Sequence, residues 1–228
     1  MVFGGIEKFT LIDYPGKIAC MVYTIGCNFR CPYCHNPELV DETTDVRISE
    51  QEFFDFLETR KGMLDGVVIT GGEPTMHVDL PRVMQAIKDR GFLVKLDSNG
   101  TNPQMLREVI KKGIVDYIAM DIKSPLASYG RTVARPVDTE AIQESVALIM
   151  ASSVPYEFRT TLVKGMLSQG DIRQIGREIQ GAKLYVLQKF VSTKILNPQF
   201  KHKTSYSDEE MKEFQDMLSV YVDQCHIR

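Results

Sequence analysis

Six short runs of β-branched and apolar residues alternate with segments of helical spacing along this 228-residue chain. The runs fall at 18–24, 66–70, 93–97, 117–121, 156–163 and 184–188. Neighbouring parallel strands need long crossover connections, and helices returning over the sheet supply them. The alternation therefore predicts an α/β fold with a parallel sheet. A partial barrel and an open doubly wound sheet both satisfy it, and both bind ligands at the C-terminal ends of the strands.

Helix starts are signalled locally. Ser49 with Glu52 and Ser207 with Glu210 have capping-box spacing. Asn102-Pro103 sets a cap before a first-turn proline. Asp138 and Asp171 are the expected caps of two further helices. A last helix is expected over about 207–224, with Met211, Phe214, Leu218, Tyr221 and Val222 on its core face. No linker or low-complexity stretch interrupts the chain, so one domain is expected, with its core over about 18–190 and a C-terminal segment at 191–228.

The unusual polar and glycine residues gather where the strands end. The first run leads into a cysteine loop and the second into Gly71-Gly72-Glu73-Pro74-Thr75. The third ends in Asp97-Ser98-Asn99-Gly100 and the fourth in Asp121-Ile122-Lys123. Arg159 sits inside the fifth and must be paired to be tolerated in an interior; Gln188 ends the sixth. Five such loops on one rim describe a site.

The cysteine loop holds Cys27, Cys31 and Cys34 in C-x3-C-x2-C spacing. A structural zinc site closes with four ligands. The fourth would have to be His35, strained by its adjacency to Cys34, or the distant Cys20 or Cys225, both expected to be small buried hydrophobes. Ferredoxin-type clusters take four thiolates at other spacings. Three thiolates suit an iron–sulfur cubane with one iron left open to a ligand. His35 and Asn36, beside the loop, are placed to hydrogen-bond around it.

With Tyr33 in the aromatic position, this loop resembles the signature of the radical S-adenosylmethionine superfamily. The resemblance implies one 4Fe–4S cluster on Cys27, Cys31 and Cys34, and S-adenosylmethionine chelating the open iron. An electron from the cluster then cleaves the sulfonium to a 5′-deoxyadenosyl radical. It also implies a partial (β/α)6 TIM-type barrel with outer helices. By the same resemblance Gly71, Gly72, Glu73 and Pro74 form the loop that receives the methionine ammonium. Tyr33, Asp97, Ser98, Asn99, Asp121 and Lys123 would surround the cofactor, Arg159 would pair with its carboxylate, and Gln188 would contact adenine or ribose. A monovalent cation beside Asp97 and Asp121 is admitted too. For Asp97 and Asp121 the alternative is a pair of loop caps or a salt bridge to Lys123.

The words Thr10-Leu11-Ile12-Asp13-Tyr14-Pro15-Gly16-Lys17 and Cys31-Pro32-Tyr33-Cys34-His35-Asn36-Pro37-Glu38-Leu39 resemble the activating proteins of glycyl-radical enzymes, most of all that of anaerobic ribonucleoside-triphosphate reductase. The 14 residues between Cys34 and Ser49 contain no cysteine, which disfavours an inserted ferredoxin-like domain. The implied partners are that reductase and, as electron donor, a flavodoxin or ferredoxin. Pyruvate formate-lyase activation, a small-molecule reaction such as deazaguanine synthesis, and a non-catalytic zinc or iron–sulfur module are the competing expectations. A net charge of −3 argues against nucleic acid, and Lys201-His202-Lys203 is expected to be solvated surface. No apolar run is long enough for a membrane span. The reduced thiols implied by this cysteine usage fit a cytoplasmic chain.

Overall fold

The computed structural model describes residues 1–228. In chain order the elements are β1 (Val2–Thr10), β2 (Ala19–Thr24), α1 (Pro37–Val40), β3 (Ile48–Ser49), α2 (Glu50–Glu58), β4 (Gly66–Gly71) and α3 (Leu80–Lys88). There follow β5 (Leu93–Ser98), α4 (Pro103–Lys111), β6 (Tyr117–Asp121), α5 (Tyr129–Val133) and α6 (Thr139–Ala151). The chain ends with β7 (Tyr156–Leu162), α7 (Gln169–Glu178), β8 (Tyr185–Lys189), α8 (Asp208–Leu218) and β9 (Cys225–Ile227).

All nine strands join one sheet in the order β3-β1-β2-β4-β5-β6-β7-β8-β9. From β2 to β9 every neighbouring pair is parallel. β1 runs antiparallel to β2 and to β3. The six expected strands are all present in the expected order. Three were missed: β1 carries two adjacent glycines and no clean alternation, and β3 and β9 are two and three residues long.

Alternation along the strands separates two environments. Cys20, Val22, Val67, Ile69, Val94, Leu96, Ile118, Met120, Phe158, Tyr185 and Leu187 join the main apolar core, as expected for the face that outer helices cover. The residues between them, including Lys95, Asp97, Asp121, Glu157 and Arg159, point to the opposite, inner face. At the N-terminal end of that face Tyr14 packs with Ala19 and Val68 and lies 6.0 Å from the Tyr117 ring. The 10–17 word is therefore a structural plug, with the Asp13 carboxylate accepting from the Thr10 hydroxyl.

The sheet curls. The amides of Leu196 and Asn197, beyond β8, donate to the carbonyls of Cys34 and Pro32, beyond β2, both at 2.9 Å. Those contacts join opposite ends of the strand order at one rim, as in a partial barrel.

Capping follows the sequence with one exception. Ser49 and Ser207 close capping boxes, and Asn102 and Asp138 accept from first-turn amides. Asp171, expected as a cap, is the third residue of a box whose cap is Ser168, so α7 begins three residues earlier. The last helix is shorter than expected. It stops at Leu218, because the Tyr221 amide turns back to the Leu218 carbonyl and the chain enters β9. Cys20 is fully buried as expected, whereas Cys225, on β9, is only half-buried.

Candidate functional site

A cavity of 220 Å³ opens at the C-terminal ends of the strands. Its walls include Cys27, Cys31, Tyr33, Cys34, Gly71, Gly72, Glu73, Asp97, Ser98, Asn99, Asp121, Lys123, Arg159 and Gln188. These are all the expected site residues except Pro74, which is buried at the start of the short turn behind Glu73.

Three thiols reach this cavity. Cys20 lies on the helix-covered face and Cys225 on the far edge strand, so neither can supply a fourth. His35 does line the wall, but its Nδ1 is 3.1 Å from the Lys194 carbonyl. Burial pushes the Cys27 thiol up to about 11 and the Cys31 thiol up to about 12, and raises Cys34 too. The nearby Lys123 ammonium favours the thiolates. Three soft donors on one loop at the cavity wall, Cys31 buried and Cys27 and Cys34 half-buried, with a cation beside them, fit an iron–sulfur cluster. No three His, Cys, Asp or Glu side chains converge as a single-ion site does. The Tyr33 hydroxyl is buried at the same wall with no hydrogen-bond partner.

Besides lining the cavity, the two glycines make room for the cysteine loop. A Cβ on Gly72 would lie 1.9 Å from the Gly26 carbonyl oxygen, and one on Gly71 would lie 2.5 Å from the Thr24 amide nitrogen. Gly71 also has φ +114, a region that excludes ordinary side chains. The Gly72 and Glu73 amides donate to the Thr24 and Gly26 carbonyls at 2.9 and 2.8 Å. Backbone is thus stacked on backbone directly beneath Cys27.

Glu73 binds its own protein first. Its Oε1 accepts from the Thr75 amide (3.0 Å), the Thr75 hydroxyl and the Ser98 hydroxyl (2.9 Å). Its Oε2 accepts from the Asn99 amide (2.7 Å). A carboxylate offers about four acceptor positions, so Oε2 is the oxygen with capacity left for a ligand. Burial raises the Glu73 carboxyl above its ordinary value against these four donors. The clamp ties the β4 loop to the β5 loop. Asn99 is engaged as well, its Nδ2 donating to Asn28 Oδ1 at 2.8 Å.

The cavity floor is an alternating set of charges. Lys95 Nζ meets Asp97 Oδ1 at 2.5 Å. Arg159 reaches Asp97 at 3.1 Å and Asp121 at 2.9 Å. Lys123 meets the other Asp121 oxygen at 2.9 Å. Below them Arg228 holds the fully buried Glu157 through two bonds of 2.9 and 2.8 Å. Arg159, expected to wait for a ligand carboxylate, already bridges two protein carboxylates. Lys95, Lys123 and Arg159 are the cations that Asp97 and Asp121 meet in this structure.

Burial opposes the charge on Asp121, yet the Arg159 guanidinium and Lys123 ammonium overcome it and hold the carboxyl well below the usual carboxylate range. Replacing Arg159 by methionine removes a bridge whose side chain is 13% exposed. The expected loss is about 3 kcal/mol at neutral pH, the lower end for broken buried pairs, because each aspartate keeps a lysine. The sign with pH follows from the depressed native value. That stabilisation is complete above the unfolded carboxylate pKa of ~4 and is lost as pH falls toward the native one, so the difference between the proteins shrinks on acidification. Urea unfolding at several pH values measures it. A loss independent of pH would contradict the role given to Asp121.

Sequence reasoning missed Lys95, Glu157, Arg228 and the wall residues Phe29 and Thr161. A lysine and a glutamate within apolar runs were the available signal, since each needs a partner when buried.

The family model described as "Radical SAM superfamily" matches residues 21–171. The chain is 33% identical to "Putative glycyl-radical enzyme activating enzyme MJ1227" of Methanocaldococcus jannaschii, over 98% of this chain and 94% of that one. It is 30% identical to a pyruvate formate-lyase-activating enzyme of Clostridium pasteurianum, over 54% of each chain. Among solved structures, a radical SAM methyltransferase from Sphaerobacter thermophilus superposes with a TM-score of 0.69 at 16% identity. That match covers 96% of this chain and 68% of the other and bears on the fold alone.

Proposed function

The chain belongs to the radical SAM superfamily, and from that membership we propose that it activates a glycyl-radical enzyme, anaerobic ribonucleoside-triphosphate reductase before others. Its cofactors are one 4Fe–4S cluster and S-adenosylmethionine. Cys27, Cys31 and Cys34 would hold the cluster. Glu73, Ser98, Asn99, Asp121, Lys123, Arg159 and Gln188 would surround the nucleoside, with Tyr33 behind them. When bound, the cluster supplies the electron and an open coordination corner, and the nucleoside supplies the carbon that takes up a hydrogen.

The observation that carries the reading is the meeting of three thiols, Cys31 buried and Cys27 and Cys34 half-buried, with a charge-alternating floor in one 220 Å³ cavity. An amino-acid zwitterion needs donors for its carboxylate and acceptors for its ammonium, and this floor offers both. The chain's remaining work is positional. The Glu73 clamp fixes the β4 and β5 loops relative to each other, and the stacked Gly71–Gly72 backbone fixes both beneath the cysteine loop. Hydrogen abstraction needs two carbons near contact distance, so such rigidity is where the protein lowers the barrier. No side chain need act as a general acid or base.

The similarity to named glycyl-radical activating enzymes supports a macromolecular substrate. The reductase is favoured by the words at 10–17 and 31–39; pyruvate formate-lyase is the second reading, favoured by the Clostridium pasteurianum match. The test is anaerobic mixing of reconstituted protein, S-adenosylmethionine and a chemical reductant with each enzyme, followed by electron paramagnetic resonance. The reductase is expected to show a glycyl signal. A signal on formate-lyase and none on the reductase would overturn the choice of partner.

A further inference from the structure

In a chain of net charge −3, residues 179–207 contain five lysines and one histidine and no acidic side chain. Within them Lys194–Lys203 matches no motif, and the surrounding segment 191–203 has no regular strand or α-helix. The structure places it against the cysteine loop. Besides the two amide bonds to the Pro32 and Cys34 carbonyls, Lys194 pairs with Glu38 at 2.6 Å, and Ile195 and Phe190 are buried beneath. The Phe190 ring lies 6.0 Å from His35. The segment is thus a strap fastened to the loop that would carry the metal.

Its outer surface is left over for another molecule. Lys201, His202 and Lys203 are exposed, and neither lysine joins an ion pair. Val191, 56% exposed, adds an apolar element to the same segment. An approaching protein of opposite charge is oriented by such a basic surface.

Building on the function proposed above, we propose that residues 191–203 are the docking surface for an acidic one-electron carrier protein. An electron would have to reach the cysteine loop, and the strap is bonded to that loop at the Pro32 and Cys34 carbonyls. Transient redox encounters use small polar interfaces steered by charge, which two free lysines, a histidine and one exposed valine provide.

The test uses the reconstituted holoenzyme, a fluorescently labelled acidic flavodoxin as probe, and the K201E/K203E double variant. Wild-type binding should weaken steeply as salt rises. The variant should bind at least about tenfold more weakly and with a shallower salt dependence. Cofactor cleavage driven by dithionite should match wild type, because neither lysine touches the cavity. Unchanged affinity in the variant would overturn the proposal, and so would wild-type binding insensitive to salt. Loss of binding to the glycyl-radical enzyme in place of flavodoxin would overturn it too, by giving the surface to the substrate. Failure of dithionite to drive cleavage in the wild type would count against the enzyme reading, while the binding measurements still decide this one.

Discussion

Gly72→Ala is expected to lower the unfolding free energy by about 1–3 kcal/mol, the range for forced overpacking, and to prevent cluster assembly altogether. The added methyl would sit 1.9 Å from the Gly26 carbonyl oxygen. That neighbour is backbone, one residue before Cys27, and cannot rotate away as a side-chain tip can. Relief requires the β4 loop and the cysteine loop to part. Parting them breaks the 2.8 Å bond from the Glu73 amide to Gly26 and moves the Cys27 thiol relative to Cys31 and Cys34. Gly5→Ala is the matched control. Its Cβ would meet nothing nearer than Tyr23 at 3.5 Å, so stability should change by less than about 0.5 kcal/mol. Urea unfolding and iron content per chain read the two effects separately. A Gly72→Ala protein with normal iron content would show that the loops need not touch.

The same contact shows how far the sequence carries a reader. Gly71-Gly72-Glu73-Pro74 could be placed at a strand end and beside a cofactor site from residue types alone. What the glycines are for could not, because their partners, Thr24 and Gly26, lie far back in the chain and become neighbours only when β2 and β4 pair in register. The six strands were legible because parallel strands covered by helices leave continuous apolar runs. β9 was not, since Cys225–Ile227 is stabilised by pairing with β8 and not by any local pattern. Arg159 was rightly suspected of needing a partner. Its protein partners could not be named, because alternation puts Asp97, Asp121 and Arg159 on one inner face only once three strands are aligned. Helix ends were the most readable detail, and the Asp171 error arose where two capping residues, Ser168 and Asp171, lie three apart and serve one box.

The electrostatics of the cavity follow the same logic. Each of the carboxylates Asp97, Asp121 and Glu157 on the inner face is met by a cation: Lys95 with Asp97, Arg159 with Asp97 and Asp121, and Arg228 with Glu157. Buried ion pairs add little to stability over apolar packing. They do supply fixed dipoles that need not reorganise when a charged ligand enters, which is what a site of this kind needs.

The central claim is that a three-thiol cage on the cysteine loop, and nothing else in the chain, holds the metal. Cys31→Ala tests it most directly, because Cys31 is the most buried of the three thiols and Cys20 and Cys225 cannot replace it. Removing one buried sulfur should cost the fold only about 1 kcal/mol, so circular dichroism should match wild type. After anaerobic reconstitution the wild-type chain should hold about four irons and release 5′-deoxyadenosine from S-adenosylmethionine under dithionite. The variant, folded, should hold no stable cluster and release none. A folded Cys31→Ala protein that kept both its iron and its product would contradict the account.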